Sequence, residues 1–115
     1  MAMKVDFYCW AKCNACRQAK AFLGQKNVEI NERDFFKDPF SRSEIEELLQ
    51  GRTASEMFNF RSPSFKQIGR ERAELSNNEL IDWMLKEPRL IRRPVVRIGN
   101  KVYFSADKSV LESLI

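Results

Sequence analysis

The 115-residue chain contains no histidine. That absence removes the Cys–His nucleophile pair, the Ser–His–Asp triad and every imidazole-bearing metal site. No apolar run approaches the roughly 18 residues that a membrane-spanning helix needs, so no membrane partner is expected. Met1 to Asp6 lacks a charged region followed by an apolar core, which argues against a secretory signal. No internal repeat, low-complexity tract or linker breaks the chain, and a single domain over residues 1–115 is expected. Chemistry is thereby left to thiols, carboxylates and arginines.

The residues that are present describe a soluble globular protein, with 43% hydrophobic and 31% charged residues. Its length supports a core without disulfide or metal staples. Three cysteines, an odd number, fit a reducing compartment better than a disulfide scaffold, so the cytoplasm is expected. The net charge is +4, and Lys86, Arg89, Arg92, Arg93, Arg97 and Lys101 crowd into one stretch. A solvated face is the plain reading of that stretch; an anionic small molecule or an acidic protein surface are the sharper ones. Direct nucleic-acid binding is not expected, because no recognised binding motif accompanies the modest charge.

Periodicity orders the elements. Lys4 to Tyr8 is β-rich, and Ala15, Ala19, Phe22 and Leu23 then fall on one helical face closed by Gly24. Val28 and Ile30 alternate with polar neighbours as a second short strand. Ser41–Glu44 and Ser76–Glu79 both carry the capping-box pattern ahead of apolar stripes, the first ending before Gly51 and the second at Pro88. Between them Ser62-Pro63-Ser64 starts a further short helix, with Met57, Phe58 and Phe60 assigned to the core. Val95 to Ile98, the Gly99-Asn100 turn and Val102 to Phe104 read as a hairpin, followed by an amphipathic helix through Val110, Leu111, Leu114 and Ile115.

The thiols lie at the first strand-to-helix junction. Cys13-Asn14-Ala15-Cys16 there puts the first sulfur beside the unpaired N–H groups and positive end of the helix, which favour a thiolate. The second sulfur, one turn along, can resolve a mixed disulfide. Lys12 and Arg17 flank the pair and favour the anion. With Cys9 the spacing becomes C-x3-C-x2-C, which also matches the three thiolates of a radical-SAM iron–sulfur cluster. The chain is short for such a barrel, and Ala15 stands where an aromatic residue is usual. A zinc site would lack a fourth ligand of the usual kind. Cys9 reads as a buried strand-end thiol or a second partner for Cys13.

These residues resemble the arsenate reductase (ArsC)/Spx family of thioredoxin-fold proteins over nearly the whole chain. The resemblance is carried by Phe7-Tyr8, Cys13 to Arg17, Glu32 to Ser41, Arg61-Ser62, Leu75-Ser76 and Pro88 to Val96. It implies an α/β, thioredoxin-like fold: a small mixed four-stranded sheet flanked by helices, with a helical insertion (residues 41–87) between the second and third strands. It further implies Cys13 as nucleophile, Arg93 and Arg61 as arginines facing the thiolate, and a cis bond before Pro94. Two positions depart from arsenate reductases of this fold: Trp10 and Ala11 replace an Asn-Pro, and Phe104 stands where a third arginine is used. Arsenate reduction is therefore not expected, since a multiply charged oxyanion loses one cation. Cys16 points toward the Spx branch or related thiol reductases.

Two functions follow from this resemblance. The first is a thiol–disulfide reductase linked to glutathione or glutaredoxin, with Cys13 attacking, Cys16 resolving, and arginines holding an anionic substrate. The second is a regulator of the Spx kind, which binds the RNA polymerase α subunit and uses the C-x-x-C as an oxidation switch through the Arg52-Thr53 turn and Arg61. The segment from Leu49 to Arg61, where that contact is expected, is shorter than in the Spx branch. No bound cofactor or metal is expected, and a monomer is.

Overall fold

The computed structural model describes residues 3–115; Met1 and Ala2, which open the segment read above for a signal, lie outside the described residues. The chain divides into two compact units, Met1–Asp38 with Arg93–Ile115, and Pro39–Arg92. Among the described residues no helix is long and apolar enough to cross a membrane.

The first unit is organised by β1 (Met3–Cys9), whose alternate residues Val5, Phe7 and Cys9 are buried. β2 (Val28–Asp34) pairs with it in parallel, and β3 (Val95–Ile98) pairs on the other side, antiparallel. β4 (Lys101–Tyr103) closes the sheet against β3 in the order β2-β1-β3-β4. A parallel neighbour needs a crossover, and α1 (Asn14–Gly24) supplies it. The core joins Val5, Phe7, Cys9 and Val96 to Cys16, Ala19 and Leu23 of α1 and Leu111 of α5 (Lys108–Leu114).

Two sequence expectations shift in this unit. The buried stripe of α1 starts at Cys16, with Ala15 and Phe22 at its margins. Cys16, Ala19 and Leu23 follow i, i+3, i+7, so the second thiol of the C-x-x-C is also a core residue. β2 runs on from Ile30 through Glu32, Arg33 and Asp34, because the parallel register with β1 continues to Cys9↔Asp34. The tight turn of the hairpin is as read, with Gly99 at φ 62°.

The second unit is the helical insertion between β2 and β3. α2 (Arg42–Leu49) and α4 (Asn77–Lys86) each begin with a complete capping box, Ser41 with Glu44 and Ser76 with Glu79. α2 ends at Leu49, ahead of Gly51 as read, and is capped by Gln50 at φ 54°, with Gly51 following at φ 83°. α3 (Pro63–Ile68) starts at the expected Ser-Pro, and 3₁₀ turns occupy Ala54–Glu56, Arg72–Glu74 and Pro88–Leu90. Ile45, Leu49, Met57, Phe58, Ile81, Met84 and Ile91 are buried. Phe60 departs from its core assignment: it is partly exposed, tilted against Phe58 and edge-on to Phe65, under the Arg72 guanidinium. The end of the insertion is tied back on itself, Arg92 N–H donating to Met57 O (2.9 Å) and Arg92 Nε to Phe58 O (3.0 Å).

Truncating the central strand should be far costlier than removing a cap. Phe7→Ala empties a fully buried ring position and is expected to cost about 3–5 kcal/mol. Ser76→Ala removes a capping hydroxyl for about 1 kcal/mol. Urea denaturation monitored by circular dichroism checks both magnitudes and their order.

A candidate thiol redox site

Cys13 is the N-cap of α1. Its extended backbone (φ −92°, ψ 120°) turns the chain into the helix, and its sulfur accepts the Cys16 N–H at 3.4 Å. A thiol thus stands where serine or aspartate usually caps, and a helix start rewards an anion there. The turn leading to it is closed by Cys13 N–H donating to Trp10 O (3.0 Å). It is braced by Arg17 Nε donating to Ala11 O (2.9 Å).

The three cysteines stand unbonded and sharply unequal in burial, Cys9 and Cys16 buried and Cys13 half-buried. Burial opposes ionisation of Cys13, but the Cys16 N–H, the Cys16 thiol, and the hydrogen bond and charge of Arg93 outweigh it, and its pKa falls below the ordinary value. Cys16 moves the opposite way. Burial raises its pKa, the Trp10 N–H opposes that, and the hydrogen bond to Cys13 and that sulfur's charge raise it further. Cys9, at the buried end of β1, is pushed up to about 12 by burial, by its hydrogen bond to Glu32 and by the Glu32 and Asp34 charges. Its sulfur donates to Glu32 Oε1 at 3.5 Å, and Glu32 in turn pairs with Lys20 at 2.7 Å. One half-buried thiol is biased toward the anion and the two buried thiols behind it toward the neutral form, an asymmetric set.

Arg93 lies in the same unit, immediately before β3, and the Arg93–Pro94 peptide bond is cis. Its guanidinium also sits 5.5 Å from the Trp10 ring centroid and 5.7 Å from that of Phe36. Trp10 and Phe36 are themselves stacked, 4.2 Å apart at 11°. Asp34 fixes the loops that carry them: its carboxylate accepts from Ala11 N (3.3 Å) and Phe36 N (2.9 Å). Sequence reasoning did not assign Trp10, Asp34 or Phe36 to the site. The available signal was the two strand ends, which a parallel register sets side by side.

Arg61 belongs to the helical unit, exposed, with its N–H donating to Asn59 Oδ1 at 3.1 Å. A cleft of about 540 Å³ in that unit is lined by Pro63, Ile68, Trp83 and Leu90 among others, and none of the lining residues is a cysteine. Among the described residues no group of three His, Cys, Asp or Glu is placed to hold a metal.

The ArsC family pattern matches residues 8–112. The chain belongs to the ArsC family. This ArsC-family chain is 31% identical over 103 residues to regulatory protein MgsR of Bacillus subtilis, covering 88% of this chain and 81% of that one. It is 34% identical over 94 residues to the global transcriptional regulator Spx of Lactiplantibacillus plantarum, covering 80% and 71%. Its fold is similar to that of an arsenate reductase from Vibrio cholerae, with a TM-score of 0.83, 24% identity and 97% and 98% of the two chains covered. The fold is therefore thioredoxin-like, and ArsC membership agrees with the residues from which it was read.

The shifts carry signs that can be measured. A lowered pKa in the folded state means that ionised Cys13 adds stability above the ordinary thiol pKa. That contribution is lost as pH falls through the lowered value. Cys9 is the reverse: its neutral form adds stability below the ordinary thiol pKa, lost as pH rises toward about 12. Iodoacetamide labelling of the native protein should therefore modify Cys13 first, with a pH midpoint below the roughly 8.5 of a free thiol. Cys9 and Cys16 should label only on unfolding, as peptide mass mapping would show.

Proposed function

We propose that this chain is a thiol–disulfide redox protein in which Cys13 is the nucleophile and Cys16 the resolving thiol. One observation carries the reading: a Cys13 sulfur that accepts the Cys16 N–H and faces Arg93, with the neutral Cys16 thiol donating to it. In the first step the Cys13 thiolate attacks one sulfur of a disulfide. The substrate S–S bond breaks, a Cys13 mixed disulfide forms, and the other half leaves as a thiolate that takes a proton from solvent. The charge and hydrogen bond that helped to keep Cys16 protonated are then gone. Cys16 gives its proton to solvent and attacks the Cys13 sulfur, closing a Cys13–Cys16 disulfide and expelling the second thiolate, which takes a proton from solvent. Two electrons have passed from the dithiol to the substrate, and a thiol reductant of the glutathione or glutaredoxin class returns them.

In this reading Arg93 stabilises the attacking thiolate and meets an anionic substrate group such as a glutathione carboxylate. Arg17 supports the turn. The role that the resemblance gives Arg61 stays a separate proposal, for which Arg61→Ala should raise KM for a glutathione mixed disulfide and leave kcat unchanged. The protein is proposed to act as a cytoplasmic monomer without a bound cofactor.

Turnover of a glutathione mixed disulfide tests the main reading. Cys13→Ser should fall to the uncatalysed rate, and Cys16→Ser should accumulate a mixed disulfide on Cys13 visible by mass spectrometry. Equal rates for wild type and Cys13→Ser would sink it.

A second reading is favoured by the relatives, since the MgsR and Spx proteins that match at 31% and 34% identity are named regulators. The same dithiol would then be a switch whose closure biases a binding surface for the RNA polymerase α subunit. A pulldown with that subunit under reducing and oxidising conditions separates the two. Redox-dependent capture is the regulator's signature; capture that is absent or insensitive to oxidant contradicts it.

A further inference from the structure

We propose that Trp10 and Phe36 are positioning residues of the thiol site, their stacked rings forming a cation–π shelf that holds the Arg93 guanidinium against the Cys13 sulfur. The assignment rests on Cys13 being the reactive thiol.

The geometry begins in the sheet. β1 and β2 end in register at Cys9↔Asp34. Trp10 follows the first end, and Phe36 lies two residues beyond the second. Asp34 then accepts the N–H groups of Ala11 and Phe36 together, so one carboxylate locks both exits. The rings stack nearly parallel with centroids 4.2 Å apart, and both are half-buried. They form a fixed surface rather than two mobile side chains.

Arg93 needs such a surface. A long guanidinium side chain placed beside a half-buried thiolate can equally turn to water, and its charge then does little for the sulfur. Its Cζ lies within 6 Å of both ring centroids (5.5 and 5.7 Å), the range of a cation–π contact. A planar guanidinium can lie against an aromatic surface while its N–H groups, which point outward in its plane, reach a hydrogen-bond acceptor. The acceptor is the Cys13 sulfur. The titratable or charged groups acting on that sulfur are Cys16, from its own helix, and Arg93. The Trp10 contribution to Cys16 is made by its backbone N–H. Replacing the ring therefore leaves that bond available and isolates the shelf.

The test is the pH profile of Cys13 alkylation, assigned by peptide mapping, in full-length wild type, Trp10→Ala, Trp10→Phe, Phe36→Leu and Arg93→Ala. Trp10→Ala should raise the midpoint by about half to one pH unit, slowing Cys13 labelling at neutral pH about three- to tenfold. Trp10→Phe, which keeps a ring, should recover most of the loss. Trp10→Ala added to Arg93→Ala should change nothing further, because the ring acts through the guanidinium. If Trp10→Ala does not fold by circular dichroism, Phe36→Leu supplies the same readout. A wild-type midpoint in folded Trp10→Ala or Phe36→Leu, or full additivity with Arg93→Ala, would overturn the shelf. A wild type that itself titrates like a free thiol would instead remove the proposed function.

Discussion

The constraint on which the site depends is a sulfur in the capping position of a helix. The Cys16 N–H needs an acceptor at the start of α1, and the Cys13 sulfur is that acceptor. The same helical turn that places Cys13 at the rim carries Cys16 into the core beside Cys9 and Leu23. One sulfur is thereby biased toward the anion and the other toward the neutral thiol, by geometry that β1 and α1 impose together. No imidazole is needed for this division, because the helix start and a guanidinium do what a base would do elsewhere.

Fold stability and reactivity are consequently built from the same residues. Val5, Phe7 and Cys9 hold the central strand in the core, and the chain leaves that strand directly into the Trp10–Cys13 turn. Cys16 is as much a packing residue as a chemical one, at 2% exposure. It is shielded from solvent while its thiol stays in hydrogen-bond contact with Cys13. Cys9 is quiet for a different reason. Its thiol already donates to a carboxylate that is itself paired with Lys20, so ionising it would place a negative charge against Glu32.

Much of this was legible because it is local. The capping boxes at Ser41 and Ser76, the Gly99-Asn100 turn and the helix from Asn14 to Gly24 are decided by residues a few positions apart, and they stand where periodicity put them. The cysteine pair at the strand-to-helix junction belongs to the same class. What escaped was set by pairing across the chain. β2 continues through Glu32 to Asp34 because β1 offers it a ladder, and no local propensity announces that. The stacking of Trp10 on Phe36 and the reach of Arg93 to both are contacts between distant segments. Spacing within a motif cannot express them. Phe60 was taken for core on its aromatic character, yet it sits with Phe58 and Phe65 under a surface arginine.

Within the ArsC family, then, this chain combines a cysteine-capped helix, a buried second thiol and an arginine beside the first. The central claim is that Cys13 and Cys16 form one redox couple from which Cys9 is excluded. Disulfide mapping by mass spectrometry after mild oxidation with diamide tests it most directly. The account predicts a single Cys13–Cys16 bond with Cys9 still free to alkylate after unfolding. A bond that includes Cys9, or a protein that stays fully reduced, would contradict it.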